Sequence, residues 1–127
     1  MKNLNSYTDE QMSALWDKHG CFFAFGDEQF NRQKKEGVKY CSPFNGMACP
    51  VDNVKAMLQE MEEIHTSGIK QDIEENGIEA IIKRELNNYE AFYTGDLEDT
   101  INALESYNIT PEQVREVYRN ELPNVEF

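Results

Sequence analysis

Gly20-Cys21-Phe22-Phe23-Ala24-Phe25-Gly26 is the most apolar short run in the chain, fenced by a glycine at each end. A helix signal stands on each side of it. Upstream, Thr8-Asp9-Glu10-Gln11 reads as a capping box, in which the Thr8 hydroxyl accepts from the Gln11 amide and the Gln11 side chain reaches back. The helix it opens carries Met12, Leu15 and Trp16 on one face and stops at Gly20. Downstream, Gly26-Asp27 turns the chain, and Asp27 caps a helix through about Glu36 with Phe30 facing inward. An apolar run without polar alternation reads as a strand covered on both faces. Cys21–Phe25 is therefore expected to be the central strand of a small sheet.

Working outward, Val38–Ser42 reads as a second strand, and Pro43-Phe44-Asn45-Gly46 as a hairpin turn on its Asn-Gly pair. Met47-Ala48-Cys49 is the returning strand and Pro50 closes it, which makes these strands short and places one at an edge. From Asp52 the pattern is helical. Val54, Met57, Leu58, Met61 and Ile64 mark one amphipathic helix up to Gly68, and Ile69–Asn76 a short second one bounded by Gly77. Ile78, Ile81, Ile82, Leu86, Tyr89, Phe92 and Tyr93 mark the longest and most buried helix, ending at Gly95. Asp96 caps the next, which carries Leu97, Ile101 and Leu104 and stops at Asn108. Thr110-Pro111-Glu112-Gln113 is a second capping box with proline at the first helical position; its helix carries Val114, Val117 and Tyr118 and ends at Pro123. The expectation is one α+β domain over residues 1–127. It has a small two- or three-stranded antiparallel sheet near the N-terminus, packed by a predominantly helical C-terminal part, with residues 1–7 as a flexible arm.

Twenty-four acidic residues stand against twelve basic ones, a net charge of -12. Phosphate backbones and anionic membrane surfaces repel such a chain. A basic protein surface attracts it, because complementary potentials speed encounter. No apolar run approaches the roughly 20 residues that cross a bilayer, and Met1-Lys2-Asn3-Leu4-Asn5-Ser6 has no apolar stretch after its lysine. Three cysteines are an odd number and form no disulfide framework. The expected setting is the cytoplasm, with reduced thiols.

Four groups of residues are candidates for function. Glu60, Glu62, Glu63, Asp72, Glu74, Glu75 and Glu79 stand against Lys70 alone and fall on the polar side of two helices joined at Gly68. Closely spaced carboxylates on a rigid surface imitate a row of phosphates and fit a basic groove, so these seven are the expected partner-binding residues; the bland reading is a solvated helix face. Glu85 lies on the apolar stripe, three residues after Ile82 and four before Tyr89, where a lone carboxylate is costly unless paired. Either a buried partner satisfies it, or with Asn88, Glu90 and Asp96 it lines a pocket for a ligand, a metal or proton transfer. His19, Cys21, Cys41 and Cys49 would come together from the first strand and the hairpin, but without the close Cys-x-x-Cys pairs of structural zinc sites they read as small buried hydrophobes. Arg32, Lys34, Lys35 and Lys39 form the one basic run, without phosphate-loop spacing, and read as partners for the acidic helices. No catalytic residue, metal or cofactor is expected.

Phe22-Phe23-Ala24-Phe25-Gly26-Asp27-Glu28-Gln29-Phe30, and Arg84-Glu85-Leu86-Asn87-Asn88-Tyr89-Glu90 with Thr94-Gly95-Asp96, resemble motifs of small uncharacterised proteins of bacteriophages and mobile elements of gut bacteria. The resemblance implies a phage or mobile-element accessory protein, a class rich in small acidic inhibitors of host defence. On it rests the leading expectation: a non-enzymatic accessory protein whose acidic helices block a nucleic-acid-handling host system, of anti-CRISPR or anti-restriction type. A small metal- or ligand-binding enzyme around Glu85, and a structural or assembly subunit forming a homo-oligomer, are the alternatives.

Overall fold

The computed structural model describes residues 1–126. The chain forms two compact units: Asn5–Gly68, and Met1–Leu4 together with the chain from Ile69 onward.

The Asn5–Gly68 unit holds α1 (Asn5–His19), β1 (Phe22–Phe23), α2 (Asp27–Gln33), β2 (Tyr40–Cys41), β3 (Met47–Pro50) and the first part of α3 (Val54–Asn76). The three strands form an antiparallel sheet in the order β1-β3-β2, with Phe22 opposite Ala48 and Cys41 opposite Cys49. The α+β class and the small sheet near the N-terminus are as expected; the central strand is not. The returning strand β3 lies in the middle, with Met47, Ala48 and Cys49 all buried. The apolar run supplies an edge strand of only two residues, Phe22 and Phe23. Phe23 is 47% and Phe25 79% exposed, so that run is not covered on both faces. Apolarity reports a tendency to be buried; neighbours on both sides make a strand central.

The core beneath the sheet is Leu15, Cys21, Met47, Cys49 and Met57, flanked by Met12, Trp16, Val54, Met61 and Ile64. Phe22, Phe30 and Tyr40 form an aromatic cluster with ring centroids 5.4 to 5.9 Å apart. Helix α1 begins at Asn5, three residues before the expected cap. Thr8 is inside the helix and donates to the Asn5 carbonyl, so the first capping box does not form. Tyr7 and Thr8 are buried, which favours extending the helix back over them.

In the second unit, α4 (Ile78–Asn88), α5 (Ala91–Thr94), α6 (Glu98–Leu104) and α7 (Pro111–Glu121) enclose a core of Ile69, Ile81, Ile82, Leu86, Phe92, Leu104 and Val114. Burying side chains of this size stabilises by about 2 kcal/mol each. Leu4 packs against the same core. The Lys2 carbonyl accepts from Arg84 at 2.9 Å, and Asn3 accepts from Asn88 at 2.9 Å. The expected flexible arm is thus corrected: residues 2–4 are anchored and residues 5–7 are helical.

Other helix boundaries differ from expectation as well: α2 starts with Asp27 as its first residue, not its cap, and ends at Gln33 rather than near Glu36. Helix α3 runs 23 residues straight through Gly68, where two helices were expected. An interior glycine costs about 1 kcal/mol but keeps its N–H, so it weakens a helix without ending one. The stop comes at Gly77, whose φ of 81° suits glycine alone and whose N–H closes on the Ile73 carbonyl at 2.9 Å. Conversely, the helix expected from Ile78 to Gly95 breaks at Glu90, which adopts a left-handed φ of 55°. The break re-aims the following turn, leaving Tyr89 and Tyr93 exposed while Phe92 stays buried. The second capping box forms as read: Gln113 N–H donates to Thr110 Oγ1 at 3.2 Å and Thr110 N–H to Gln113 Oε1 at 2.8 Å.

Candidate functional site

The seven acids expected to form one partner-binding set are divided by their surroundings. In the Asn5–Gly68 unit, Glu60 forms ion pairs with Lys18 and His19, and these hydrogen bonds, that of Lys18 foremost, lower its carboxyl below the ordinary range. Glu62 and Glu63, on the same helix, are exposed. A cleft of about 440 Å³ lies beside Glu60 and Glu63, lined also by Leu15, Lys18 and Ile64.

In the other unit, Asp72 is a correction to the sequence reading: its side chain is 0% exposed. Arg84 grips it with two parallel bonds, Nη1 to Oδ1 and Nη2 to Oδ2, both 2.9 Å. The Tyr107 hydroxyl donates to Oδ2 at 2.5 Å and Asn76 Nδ2 to Oδ1 at 2.8 Å. Each carboxylate oxygen therefore accepts two hydrogen bonds, which uses its capacity. Burial pushes the Asp72 carboxyl upward, but the hydrogen bonds from Arg84, Tyr107 and Asn76 outweigh it and hold the group below its ordinary value. Burial, then donation to Asp72, pushes the Tyr107 phenol up. Arg84 also donates from Nε to Glu85 at 2.8 Å, from Nη1 to the Lys2 carbonyl, and from Nη2 toward the Tyr107 hydroxyl at 3.4 Å. All five guanidinium N–H groups are directed at acceptors. Nothing in the network is left to bind or transfer a proton; it is an internal clamp joining the N-terminal segment, α3, α4 and the turn at Tyr107.

A sequence signal for the clamp exists. Asp72 falls three residues after Ile69, and Arg84 three after Ile81, so opposite charges occupy apolar stripes on two successive helices. The sequence reading placed the odd charge at Glu85, one residue away from the buried one.

The other expected partner-binding acids of this unit, Glu74, Glu75 and Glu79, are exposed. Glu74 and Glu75 form no salt bridge among the described residues, and Glu79 shares Lys83 with Glu121 at 3.4 and 3.3 Å. Glu85 is 14% exposed, holds Arg84 and receives a longer bond from Asn88 at 3.4 Å, so it is paired and structural. Asn88 is also tied to Asn3, Glu90 supplies the helix break, and Asp96 Oδ1 accepts from the Glu98 N–H at 2.9 Å. The four expected pocket residues thus have separate local roles.

Cys21 and Cys49 are buried and Cys41 is exposed. No group of three or more His, Cys, Asp or Glu residues is placed to hold a metal among the described residues. The basic run is exposed, with Arg32 paired to Glu28 on its own helix and Lys34 6.0 Å above the Phe30 ring. Within the chain it makes no salt bridge to the acidic helices among the described residues; pairing with them in a dimer is the other form of the expected role. No helix is long and apolar enough to cross a membrane among the described residues.

The model of a family of unknown function, DUF7659, matches residues 4–122. The chain belongs to that family. The match takes in most of both structural units, with Lys2 and Asn3 lying outside it. Neither the curated proteins nor the solved structures include a match to the chain. The membership brings no catalytic residue with it, so function is argued from the surface.

Proposed function

We propose that this DUF7659 protein works without catalysis, by seating exposed carboxylates against a basic surface of another protein. The observation that carries the reading is the state of its charges. Asp72 and Glu60 are neutralised internally, while Glu62, Glu63, Glu74 and Glu75 stay exposed without a salt bridge among the described residues, in a chain of net charge -12. Charges already held by water bind a partner mainly through long-range steering and counter-ion exchange, so the capture is salt-dependent. The sequence resemblance supports a phage or mobile-element setting, where the partner is the nucleic-acid groove of a host defence enzyme. The saturated Asp72–Arg84 clamp and the paired Glu85 speak against the enzyme alternative.

The test is capture from lysate of the native host on immobilised protein, with partners identified by mass spectrometry. The expected partner is a basic, nucleic-acid-binding protein that is released by added duplex DNA and by roughly 0.5 M salt. The quadruple reversal Glu62→Lys, Glu63→Lys, Glu74→Lys and Glu75→Lys should abolish capture while leaving the circular dichroism spectrum unchanged. Undiminished capture by that folded variant overturns the reading.

A further inference from the structure

The three cysteines lie in line at the sheet, two of them paired within it and Cys21 just before its first strand. Cys41 lies directly opposite Cys49 across β2 and β3. The register of β1 against β3 pairs Phe22 with Ala48 and Phe23 with Met47. Cys21 stands one residue before β1, and extending the same register by one step sets it opposite Cys49. Residues 21, 49 and 41 therefore form a row across the strand order β1-β3-β2. The hairpin reading of the sequence brings the three near one another, and the register sets them in line.

Geometry decides what such a row can do. Neighbouring strands are about 4.8 Å apart, so the outer two cysteines are separated by roughly 9–10 Å. A single zinc reaches thiolate sulfurs only about 2.3 Å away, so three thiols in a line do not converge on one ion. A disulfide is different. Residues opposite one another in an antiparallel pair have Cα atoms about 4.5–5.5 Å apart, inside the roughly 4.4–6.8 Å range that a disulfide spans. The central Cys49 has such a neighbour on each side.

We propose that Cys41 and Cys49 are a thiol–disulfide couple, opened to oxidants through Cys41, with Cys21 as a bystander. Cys41 is exposed and lines a cleft of about 540 Å³ together with Phe25, Phe30, Tyr40 and Gly46. Cys49 is fully buried, and its S–H points to the Pro50 carbonyl at 3.6 Å. A disulfide oxidant such as oxidised glutathione therefore meets Cys41 first. The Cys41 thiolate attacks one glutathione sulfur, forming a mixed disulfide and expelling glutathione thiolate. Cys49 then attacks the Cys41 sulfur, closing the Cys41–Cys49 bond and expelling the second glutathione thiolate, which takes up the Cys49 proton. Two protein thiols are oxidised and one glutathione disulfide is reduced to two thiols. Cys21 stays out of the exchange because it is buried and lines no part of the Cys41 cleft, and that burial, with the neighbouring cysteines, pushes its thiol up to about 12.

The sequence makes the product easy to read. Trypsin cuts after Lys39 and Lys55, so Cys41 and Cys49 leave on one peptide, 40–55; cuts after Lys18 and Arg32 place Cys21 on another, 19–32. The native full-length protein is treated with oxidised glutathione, denatured, alkylated and digested without reduction. The expected result is peptide 40–55 lighter by two hydrogens and unalkylated, with Cys21 on 19–32 alkylated. Cys21→Ala should give the same product, and Cys49→Ala should stop at a glutathione adduct on Cys41. The proposal is overturned by a 19–32/40–55 cross-link, by a wild-type glutathione adduct with Cys49 alkylated, or by no oxidation at all.

Discussion

At the scale of single residues, the protein separates charges that its sequence does not. Asp72 and Glu74 stand two positions apart in the same acidic stretch, yet one is sealed against Arg84 and the other is in water. The difference follows from helix geometry: residue 72 shares a face with Ile69, and residue 74 does not. Removing one partner of a buried ion pair strands the other, at a cost of about 3–5 kcal/mol. Asp72→Asn is therefore expected to lower the unfolding free energy by that amount at pH 7, measured by urea denaturation. The pH dependence follows from the lowered folded-state value of Asp72. The carboxylate's contribution is whole above the unfolded value of roughly 3.9 and is lost as pH falls through the folded one. The gap between wild type and Asp72→Asn should thus narrow as the pH falls below that unfolded value; a gap that does not change with falling pH would mean that the carboxylate is not what holds the clamp. Replacing both partners, Asp72→Leu with Arg84→Leu, should cost less than Asp72→Asn alone, because no fully buried charge is left stranded and only the partly exposed Glu85 loses its guanidinium.

At the scale of elements, local signals worked where the chain satisfies itself and failed where neighbours decide. The Thr110–Gln113 box formed because both of its bonds lie within one turn of chain. Thr110→Ala should lower stability by about 1 kcal/mol in the same urea assay. The Thr8–Gln11 box, equally well spelled, was overridden once Tyr7 was buried and α1 extended backward. The hairpin turn rests on Gly46, at φ 82° with the Phe25 ring beside the place a Cβ would occupy. The ring is the end of an exposed side chain and can swing away, so backbone conformation sets the cost. Gly46→Ala should destabilise by about 1–2 kcal/mol, and by the same amount in a Phe25→Ala background. Rescue by Phe25→Ala would instead make the ring the cause. The break at Glu90 was not legible, since no glycine, proline or cap residue marks it and the apolar period runs on through Phe92.

At the scale of the whole molecule, the governing quantity is a net charge of -12. Self-repulsion of that size opposes compaction, and salt relieves it. Raising ionic strength from 0.01 to 0.15 M shortens the screening length from about 30 to about 8 Å. The melting temperature is expected to rise by about 2–4 °C over that range, the equivalent of somewhat under 1 kcal/mol; a fall would mean that surface ion pairs such as Lys18–Glu60 outweigh the repulsion. The sequence by itself determined the class of fold, most of the helices, the hairpin turn and the acidic balance, because each follows from residues within a turn or two of one another. Tertiary structure alone decided which strand is central, which carboxylate is buried, and that Cys21 falls in line with the hairpin's Cys41 and Cys49. Those outcomes depend on register and on packing between segments tens of residues apart, and no local pattern carries that information.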